Sequence, residues 1–243
     1  LVITTFFLPV IFFFKISVTR KMISLISAFF IILGLYLFYN SKINTISDDH
    51  YILCLIISLS GLIVRILTVG FAFDKTSGKN TKGQVAESLN TTGIYSLLRN
   101  PLYLANYLNW LGVILLFSNI IVTITMTVFF FFYYYYIIIV EEDFLIKKFK
   151  EKYSIYFENT PRFIPSLKNW KKPEVKFNFY KSVVNIKNGL LGISIIFYLI
   201  FNIDRLKKSE SIFELNWIFY LMIFSFILYV FLKIILKLND RKN

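Results

Sequence analysis

Long apolar runs separated by short polar breaks constrain this chain more than any other feature of its sequence. Hydrophobic residues make up 57% and charged residues 17% of its 243 residues, whereas charged residues are about 25% of an ordinary soluble domain. Several runs approach the roughly 20 apolar residues that a helix needs to cross a bilayer. We therefore predict an all-α fold, a polytopic membrane helix bundle of about five to seven transmembrane helices. The whole chain, residues 1–243, is then a single membrane domain.

The apolar runs and polar breaks predict where the helical segments lie. They are residues 1–14, 22–39, 51–73, 101–117, 120–140, 189–203 and 212–236. The first run has no basic residues before it and no small-residue cleavage site, so we interpret it as a membrane segment and not as a signal peptide. The run at 189–203 is short for a spanning helix. The sequence leaves open whether these two runs span.

Residues 141–157 differ in kind, because their apolar and charged side chains separate onto two helical faces. The apolar face carries Phe144, Leu145, Phe149, Tyr153 and Tyr156, and the charged face carries Lys147, Lys150 and Glu151. This pattern predicts a cytoplasmic amphipathic helix that lies at the membrane interface. Two prolines, Pro161 and Pro165, end it.

The net charge of +13 is concentrated in the loops around the predicted hairpin at residues 101–140. Eleven Lys or Arg residues lie between Lys147 and Lys187, and further basic residues precede the hairpin. The positive-inside rule therefore places both open ends of the hairpin in the cytoplasm. We attribute the basic residues to this topology and to anionic headgroups, and we predict no nucleic-acid partner. A multi-pass protein of the bacterial inner membrane is expected, and its oligomeric state is left open.

Several kinds of soluble-enzyme site are not expected. The chain has one histidine, His50, and one cysteine, Cys54, which exclude a disulfide framework and predict no metal site. The sequence contains neither a G-x-G-x-x-G motif nor a P-loop.

A polar triplet stands at the start of the segment that begins at Pro101. Asn100 is a favoured N-cap and proline suits the first helical position, so the simplest interpretation is a helix start with Arg99 reaching the headgroups. The free amides of that start, together with Arg99, also form an anion site. Tyr103, Tyr107 and Trp110 follow on one face of the same predicted helix. Because polar groups inside the bilayer are costly, we expect this face to border a cavity or another helix.

The predicted hairpin brings two adjacent carboxylates to the same end. A turn at Ser118 and Asn119 sets Glu141 and Glu142 level with residues 96–99. A plain ion pair with Arg99 is one interpretation. The other is a site for a zwitterionic ligand, with the carboxylates holding an amino group and the helix start holding a carboxylate.

Arg65 lies inside the predicted segment 51–73. An arginine at the centre of a membrane helix costs about 2.5–3.5 kcal/mol. Either its side chain reaches the interface, or it contacts an anionic lipid headgroup.

Three stretches in order, "GIYSLLRNPLYLA", "EEDFLIKKFKEKYSIYF" and "TPRFIP", resemble the isoprenylcysteine carboxyl methyltransferase and phospholipid methyltransferase family of integral membrane enzymes. The resemblance predicts a methyltransferase-like core over residues 81–166, made of the hairpin 101–140 and the amphipathic helix 141–157. The stretch "TSGKNTKGQVAESLNTTG" is also similar to the bacterial branch that methylates lipid A phosphate groups. Two residues depart from the family pattern: its His is Asn100 here, and its following Gly is Ala105.

The resemblance implies S-adenosylmethionine as the cofactor. The implied cofactor-binding residues are Arg99, Asn100, Pro101, Tyr103, Glu141 and Glu142, with Arg99 and Glu142 also catalytic. The substrate candidates are Tyr95, Tyr107, Trp110, Arg162 and Arg65. Asparagine donates and accepts hydrogen bonds as the family's histidine does, but it cannot act as a base.

The acceptor is predicted to be an anionic carboxylate or phosphate of a lipid or lipid-linked substrate. Such a group needs no general base, which fits a region without histidine, whereas an amine would need Glu141 or Glu142 as its base. The main alternative is a catalytically inactive relative that binds lipid or protein. A transporter is disfavoured because no internal repeat is found, and a structural membrane subunit leaves the three ordered motifs unexplained.

Overall fold

The computed structural model describes residues 32–36, 38–40, 46–74, 76 and 86–240, and its regular structure there is helical throughout. From residue 46 onward the helices are α1 (Asp48–Gly70), α2 (Ile94–Leu97), α3 (Pro101–Leu115), α4 (Ile120–Phe149), α5 (Glu151–Asn159), α6 (Phe179–Lys207) and α7 (Trp217–Asp240), with a 3-10 turn at Leu167–Asn169. Among them, α1, α4, α6 and α7 are long and apolar enough to cross a membrane. The predicted helical membrane bundle is confirmed.

Polar side chains fix where the long helices begin. Ser47 accepts a hydrogen bond from the backbone N–H of His50 at the start of α1. Asn119 accepts from two backbone N–H groups at the start of α4, and Asn178 accepts from one at the start of α6. Each cap satisfies amides that the helix itself leaves unpaired.

Helices α1 and α3 pack antiparallel at very close range because each contributes a glycine. A Cβ atom on Gly61 would lie 2.4 Å from the carbonyl oxygen of Ala105, and one on Gly112 would lie 2.3 Å from that of Cys54. Small residues let membrane helices approach until their backbones touch. This contact fixes the start of α3, and therefore the polar triplet, against α1.

Helix α6 covers the other side of α1, and α7 packs on α6. The rings of Tyr51 and Phe201 meet edge to face at 6.0 Å, and the buried hydroxyls of Ser194 and Ser225 are 2.5 Å apart. A continuous apolar core runs through these helices and includes Phe197 and Ile200.

Several predicted boundaries differ from the structure. The segment predicted at 189–203 is the central part of α6, which is 29 residues long and long enough to span. The segment at 1–14 lies outside the described residues. The segment at 22–39 is described only from residue 32 onward, where it is helical apart from residue 37, which is outside the description.

The separate amphipathic helix predicted over 141–157 is wrong as a single element. Nothing in "EEDFLIKKF" breaks a helix, so α4 continues through Phe149. The chain turns at Lys150, whose φ is 46°, and α5 then ends at Asn159 ahead of Pro161. At 30 residues α4 is about 45 Å long, which exceeds the roughly 30 Å hydrocarbon core. Its last turns, with Glu141 and Glu142, therefore reach the membrane boundary.

Candidate active site

Three parts of the chain meet at the start of α3. The backbone N–H of Arg99 donates to the carbonyl of Pro161 at 2.9 Å, and that of Ser166 donates to the carbonyl of Leu97 at 3.0 Å. The hydroxyl of Tyr156 on α5 donates to the carbonyl of Tyr95 at 2.7 Å. These bonds hold α5 and the loop after it against α2 and the polar triplet.

The phenols of this junction remain protonated. Burial raises the pKa of Tyr156 above its usual range, and the neighbouring Tyr95 raises it further. Burial also raises the pKa of Tyr95, and the nearby Glu141 carboxylate adds to the shift. Tyr156 therefore keeps the proton with which it holds α5 to α2.

Glu142 is the centre of a buried charge network. Its Oε1 lies 3.0 Å from Nε of Arg99, its Oε2 lies 2.7 Å from a terminal nitrogen of Arg162, and its side chain is only 4% exposed. The amide of Asn100 also donates to Oε1 at 3.2 Å. Both carboxylate oxygens are thus occupied, so the ion pair between Arg99 and this glutamate is present.

Arg99 is held by more than this pair. One of its terminal nitrogens donates to the carbonyl of Thr160 at 2.9 Å and to that of Phe157, and its guanidinium lies 3.9 Å from the centre of the Phe157 ring. Within the described part of the chain, no acceptor contacts its other terminal nitrogen, Nη2. This nitrogen carries two N–H donors, and Arg99 lines the cavity described next.

A polar cavity of about 100 Å³ lies between the start of α3 and the end of α4. Its polar and aromatic lining residues include Asn90, Tyr95, Arg99, Asn100, Tyr103, Glu141, Tyr153 and Tyr156. Glu141 receives a 2.7 Å hydrogen bond from the hydroxyl of Tyr103. Among the residues that the structure describes, no cation pairs with Glu141. The two adjacent glutamates therefore differ: Glu142 pairs with two arginines, whereas Glu141 lines the cavity and accepts a hydrogen bond from Tyr103.

An apolar cavity of about 290 Å³ adjoins the polar one. It is lined by Asn100, Tyr103, Leu104, Tyr107, Thr127, Phe130, Phe131, Tyr134 and Phe163. Asn100 and Tyr103 line both cavities, so the two spaces meet at these side chains. A small ligand in the first cavity and an acyl chain in the second would meet there.

The remaining substrate candidates are distributed differently. Tyr107 lines the apolar cavity, but Trp110 does not; its ring packs 5.7 Å from Phe130 in the core. Arg162 contacts the site through its ion pair with Glu142. Arg65 lines neither cavity.

Residues 50–152 match the phospholipid methyltransferase family. The resemblance predicted from the sequence is thereby confirmed over α1 to the start of α5, which includes Arg99, Asn100, Tyr103 and both glutamates. The matched family is one of phospholipid methyltransferases, and four helices in the described part of the chain are long and apolar enough to cross a membrane. No curated protein and no solved structure matches the chain.

Sequence reasoning missed several residues of the two cavities. Tyr134 and Phe163 were hidden within an aromatic-rich run and a proline-rich loop, and neither carries a local signal. Tyr153 and Tyr156 were assigned only to an apolar helix face, although they line the polar cavity. Only the folded junction shows that this face covers a cavity.

Proposed function

We propose that this protein transfers a methyl group from S-adenosylmethionine to an anionic oxygen, a carboxylate or phosphate, of a lipid held in the membrane. One observation carries the proposal. A polar cavity lined by Glu141, whose carboxylate has no cationic partner among the described residues, meets an apolar cavity at Tyr103 and Asn100.

The residues of the polar cavity fit the charged end of this cofactor, which has an ammonium, a carboxylate and a sulfonium. Glu141 suits a cationic group, and Nη2 of Arg99 suits a carboxylate. The volume of about 100 Å³ is smaller than the roughly 300–1,000 Å³ of typical ligand sites. The cavity therefore accommodates the amino-acid end, and the nucleoside requires the walls to separate.

Asn100 is compatible with this role although the family has histidine there. Its amide nitrogen lies 3.2 Å from Oε1 of Glu142 and 3.4 Å from the carbonyl oxygen of Arg162. A histidine N–H would make the same kind of donor contact. The structural role of the position thus needs a donor and not a base, which supports retained activity over the inactive alternative.

When bound, S-adenosylmethionine supplies a methyl group on a positively charged sulfur. The chain's own residues then have three tasks. Glu141, oriented by Tyr103, holds the cationic side of the ligand at the junction. The apolar cavity holds the acyl part of the acceptor and excludes water, and positioning of this kind supplies about 7–11 kcal/mol in favourable cases.

An anionic acceptor fits a site that has few candidates for a general base. Such an oxygen takes the methyl group without losing a proton, so the chain need not supply a base. Both oxygens of Glu142 are engaged by arginines. The only histidine, His50, contacts the carbonyl of Leu115 at 3.0 Å, at the far end of α3 from the site.

The charge distribution supports a site that faces the cytoplasm of a bacterial inner membrane. The basic stretch between Lys147 and Lys187 follows the end of α4, where the site lies. Positive loops favour the cytoplasmic side.

A methyl-transfer assay with defined products tests the proposal. Purified protein is given S-adenosylmethionine with an isotopically labelled methyl group and native lipid extract, and mass spectrometry locates the label. We expect it on a lipid carboxylate or phosphate, and we expect Glu141→Gln to reduce it strongly. Label found solely on a lipid amine would contradict the anionic acceptor. Cofactor binding without any labelled lipid would favour the inactive relative.

A further inference from the structure

The loop that follows α5 returns to the membrane-spanning part of α4. Arg162 pairs with Glu142 at 2.7 Å, near the membrane boundary. The next residue, Phe163, packs its ring 5.4 Å from the ring of Phe131 and 6.3 Å from that of Tyr135. These two aromatic residues of α4 precede Glu142 by about 16 Å and 10 Å along the helix axis. The loop therefore runs back along α4, from the membrane boundary toward the bilayer.

Three large apolar side chains of this loop have little protein around them. The exposed fractions are 81% for Ile164, 79% for Leu167 and 53% for Trp170. Large apolar residues that lie exposed this close together mark a contact with another protein or with a membrane. Tryptophan is enriched at membrane–water interfaces, because its ring is apolar and its N–H is polar. The loop thus presents an apolar surface where α4 leaves the bilayer.

Hydrogen bonds to α2 and its N-cap hold the backbone of the loop in place. The N–H of Ser166 donates to the carbonyl of Leu97 at 3.0 Å, and the N–H of Gly93 donates to the carbonyl of Lys171 at 2.9 Å. The N–H of Lys171 donates to the hydroxyl of Ser96 at 2.9 Å. Both ends of the 3-10 turn are therefore tied down, and its apolar side chains project from a fixed frame.

The charged side chains among these apolar ones are mostly cationic. Residues 160–176 carry one arginine and four lysines but only one glutamate. Lys168, Lys171 and Lys172 are exposed, and no carboxylate in the described part of the chain pairs with them. Apolar side chains flanked by unpaired lysines match the acyl chains and the phosphates of an anionic lipid leaflet.

A second copy of the chain fits this surface poorly. A two-fold contact brings a patch against itself, so the three lysines of one copy would meet the same three lysines of the other. A leaflet with anionic headgroups presents the opposite charge. It also lies at the level where the loop meets α4.

We propose that residues 163–172 form a docking loop that inserts into an anionic leaflet of the protein's own membrane, at the end of α4. The apolar anchors of the docking loop are Ile164, Leu167 and Trp170. Its headgroup ligands are Lys168, Lys171 and Lys172. The lipids that it binds lie outside the two cavities and are not the methyl acceptor, so this inference does not depend on the proposed function.

Fluorescence quenching of Trp170 tests the insertion without any methyl transfer. The protein is reconstituted into vesicles of phosphatidylglycerol or phosphatidylcholine with brominated acyl chains, and the difference between the wild type and Trp170→Phe isolates the Trp170 signal. We expect strong quenching in phosphatidylglycerol. We expect weaker quenching in phosphatidylcholine, because each lysine near an anionic surface favours docking about fivefold. An unquenched Trp170 in phosphatidylglycerol, or equal quenching in the two lipids, would overturn the proposal.

Replacement of lysines by glutamine tests the headgroup contacts. The test variant carries Lys168→Gln, Lys171→Gln and Lys172→Gln. The matched control loses the same charge at exposed positions near the junction of α4 and α5, through Lys147→Gln, Lys150→Gln and Lys152→Gln. We expect the test variant in phosphatidylglycerol to fall to the quenching seen in phosphatidylcholine, and the control to keep the wild-type value. An equal loss in both variants would assign the effect to net charge and overturn the docking loop.

A spin label at Leu167 separates the leaflet from other occupants. In a Cys54→Ala background, Leu167→Cys is compared with Glu158→Cys, which is exposed on α5. In phosphatidylglycerol vesicles we expect the Leu167 label to be more accessible to oxygen than to a water-soluble nickel complex, and the Glu158 label to show the reverse. Equal water accessibility of the two labels would leave the surface to a soluble protein. Dipolar coupling between Leu167 labels would assign it to a second copy, and either result would overturn the leaflet as the occupant.

Discussion

The hydroxyl of Tyr103 lies 2.7 Å from Oε2 of Glu141, and Tyr103 lines both the polar and the apolar cavity. Glu141, which has no cationic partner among the described residues, is therefore held by a side chain that lines both cavities.

Tyr103→Phe removes this hydrogen bond and retains the ring between the cavities. We expect the Kd for S-adenosylmethionine to rise roughly two- to tenfold, the value of one ordinary hydrogen bond. The rate of methyl transfer should fall with it, because the carboxylate loses its fixed orientation. Titration calorimetry and single-turnover assays measure both effects. Unchanged values in both would show that Tyr103 only fills space.

The network around Glu142 predicts a large effect on stability. Removing Arg99, whose side chain is 7% exposed, leaves a buried carboxylate with one cation fewer. Breaking a buried ion pair costs about 3–5 kcal/mol, so Arg99→Ala should lower the free energy of unfolding by that order. Arg162→Ala should lower the free energy of unfolding by a smaller amount, because the Arg162 side chain is 26% exposed. Denaturant unfolding in detergent compares the two, and an equal loss for both would contradict the described burial.

The contact of α1 with α3 predicts opposite outcomes for two glycines. A Cβ atom on Gly112 would lie 2.3 Å from a backbone carbonyl oxygen, whereas one on Gly192 would have no neighbour within 4 Å. Gly112→Ala should therefore destabilise the protein, and Gly192→Ala should leave stability unchanged or raise it by about 0.5–1 kcal/mol. Thermal unfolding of the detergent-purified variants tests this, and a stable Gly112→Ala protein would refute the close approach.

The apolar cavity predicts a selective effect on the lipid substrate. Thr127 lines this cavity, so Thr127→Trp should fill it and raise the KM for the lipid by tenfold or more without changing the Kd for S-adenosylmethionine. Val128→Trp is the matched control, because Val128 is exposed on the outer side of α4. If both variants keep the wild-type KM, the acceptor does not use this cavity.

The sequence was sufficient to predict the helical bundle and the approximate register of the site. Apolar length located the long helices, and the short turn at Ser118 and Asn119 set Glu141 and Glu142 beside Arg99. The polar start of α3 was visible because Asn100 and Pro101 form a local cap pattern. These features depend on neighbouring residues or on one hairpin, so they can be read from spacing.

The remaining features depend on packing between distant segments. Successive residues of a helix point about 100° apart, so Glu141 and Glu142 face different surroundings. The side of α4 that α5 covers decides which of the two glutamates is buried among arginines and which lines the cavity. The contact of Arg65 with Asn185 joins residues 120 positions apart and requires α6 to return along α1. The prediction ended this segment at residue 140, whereas α4 continues to Phe149. The change from apolar to charged residues was taken for a helix boundary.

Binding of S-adenosylmethionine to the detergent-purified protein tests the central claim most directly. The wild type is compared with Glu141→Gln and with Asp143→Asn, which makes the same charge change two residues away at an exposed position. We predict saturable binding that Glu141→Gln weakens by at least about tenfold, as for a hydrogen bond to a charged group, and that Asp143→Asn leaves unchanged. No binding by the wild type, or equal binding by all three proteins, would contradict a cofactor site at the start of α3.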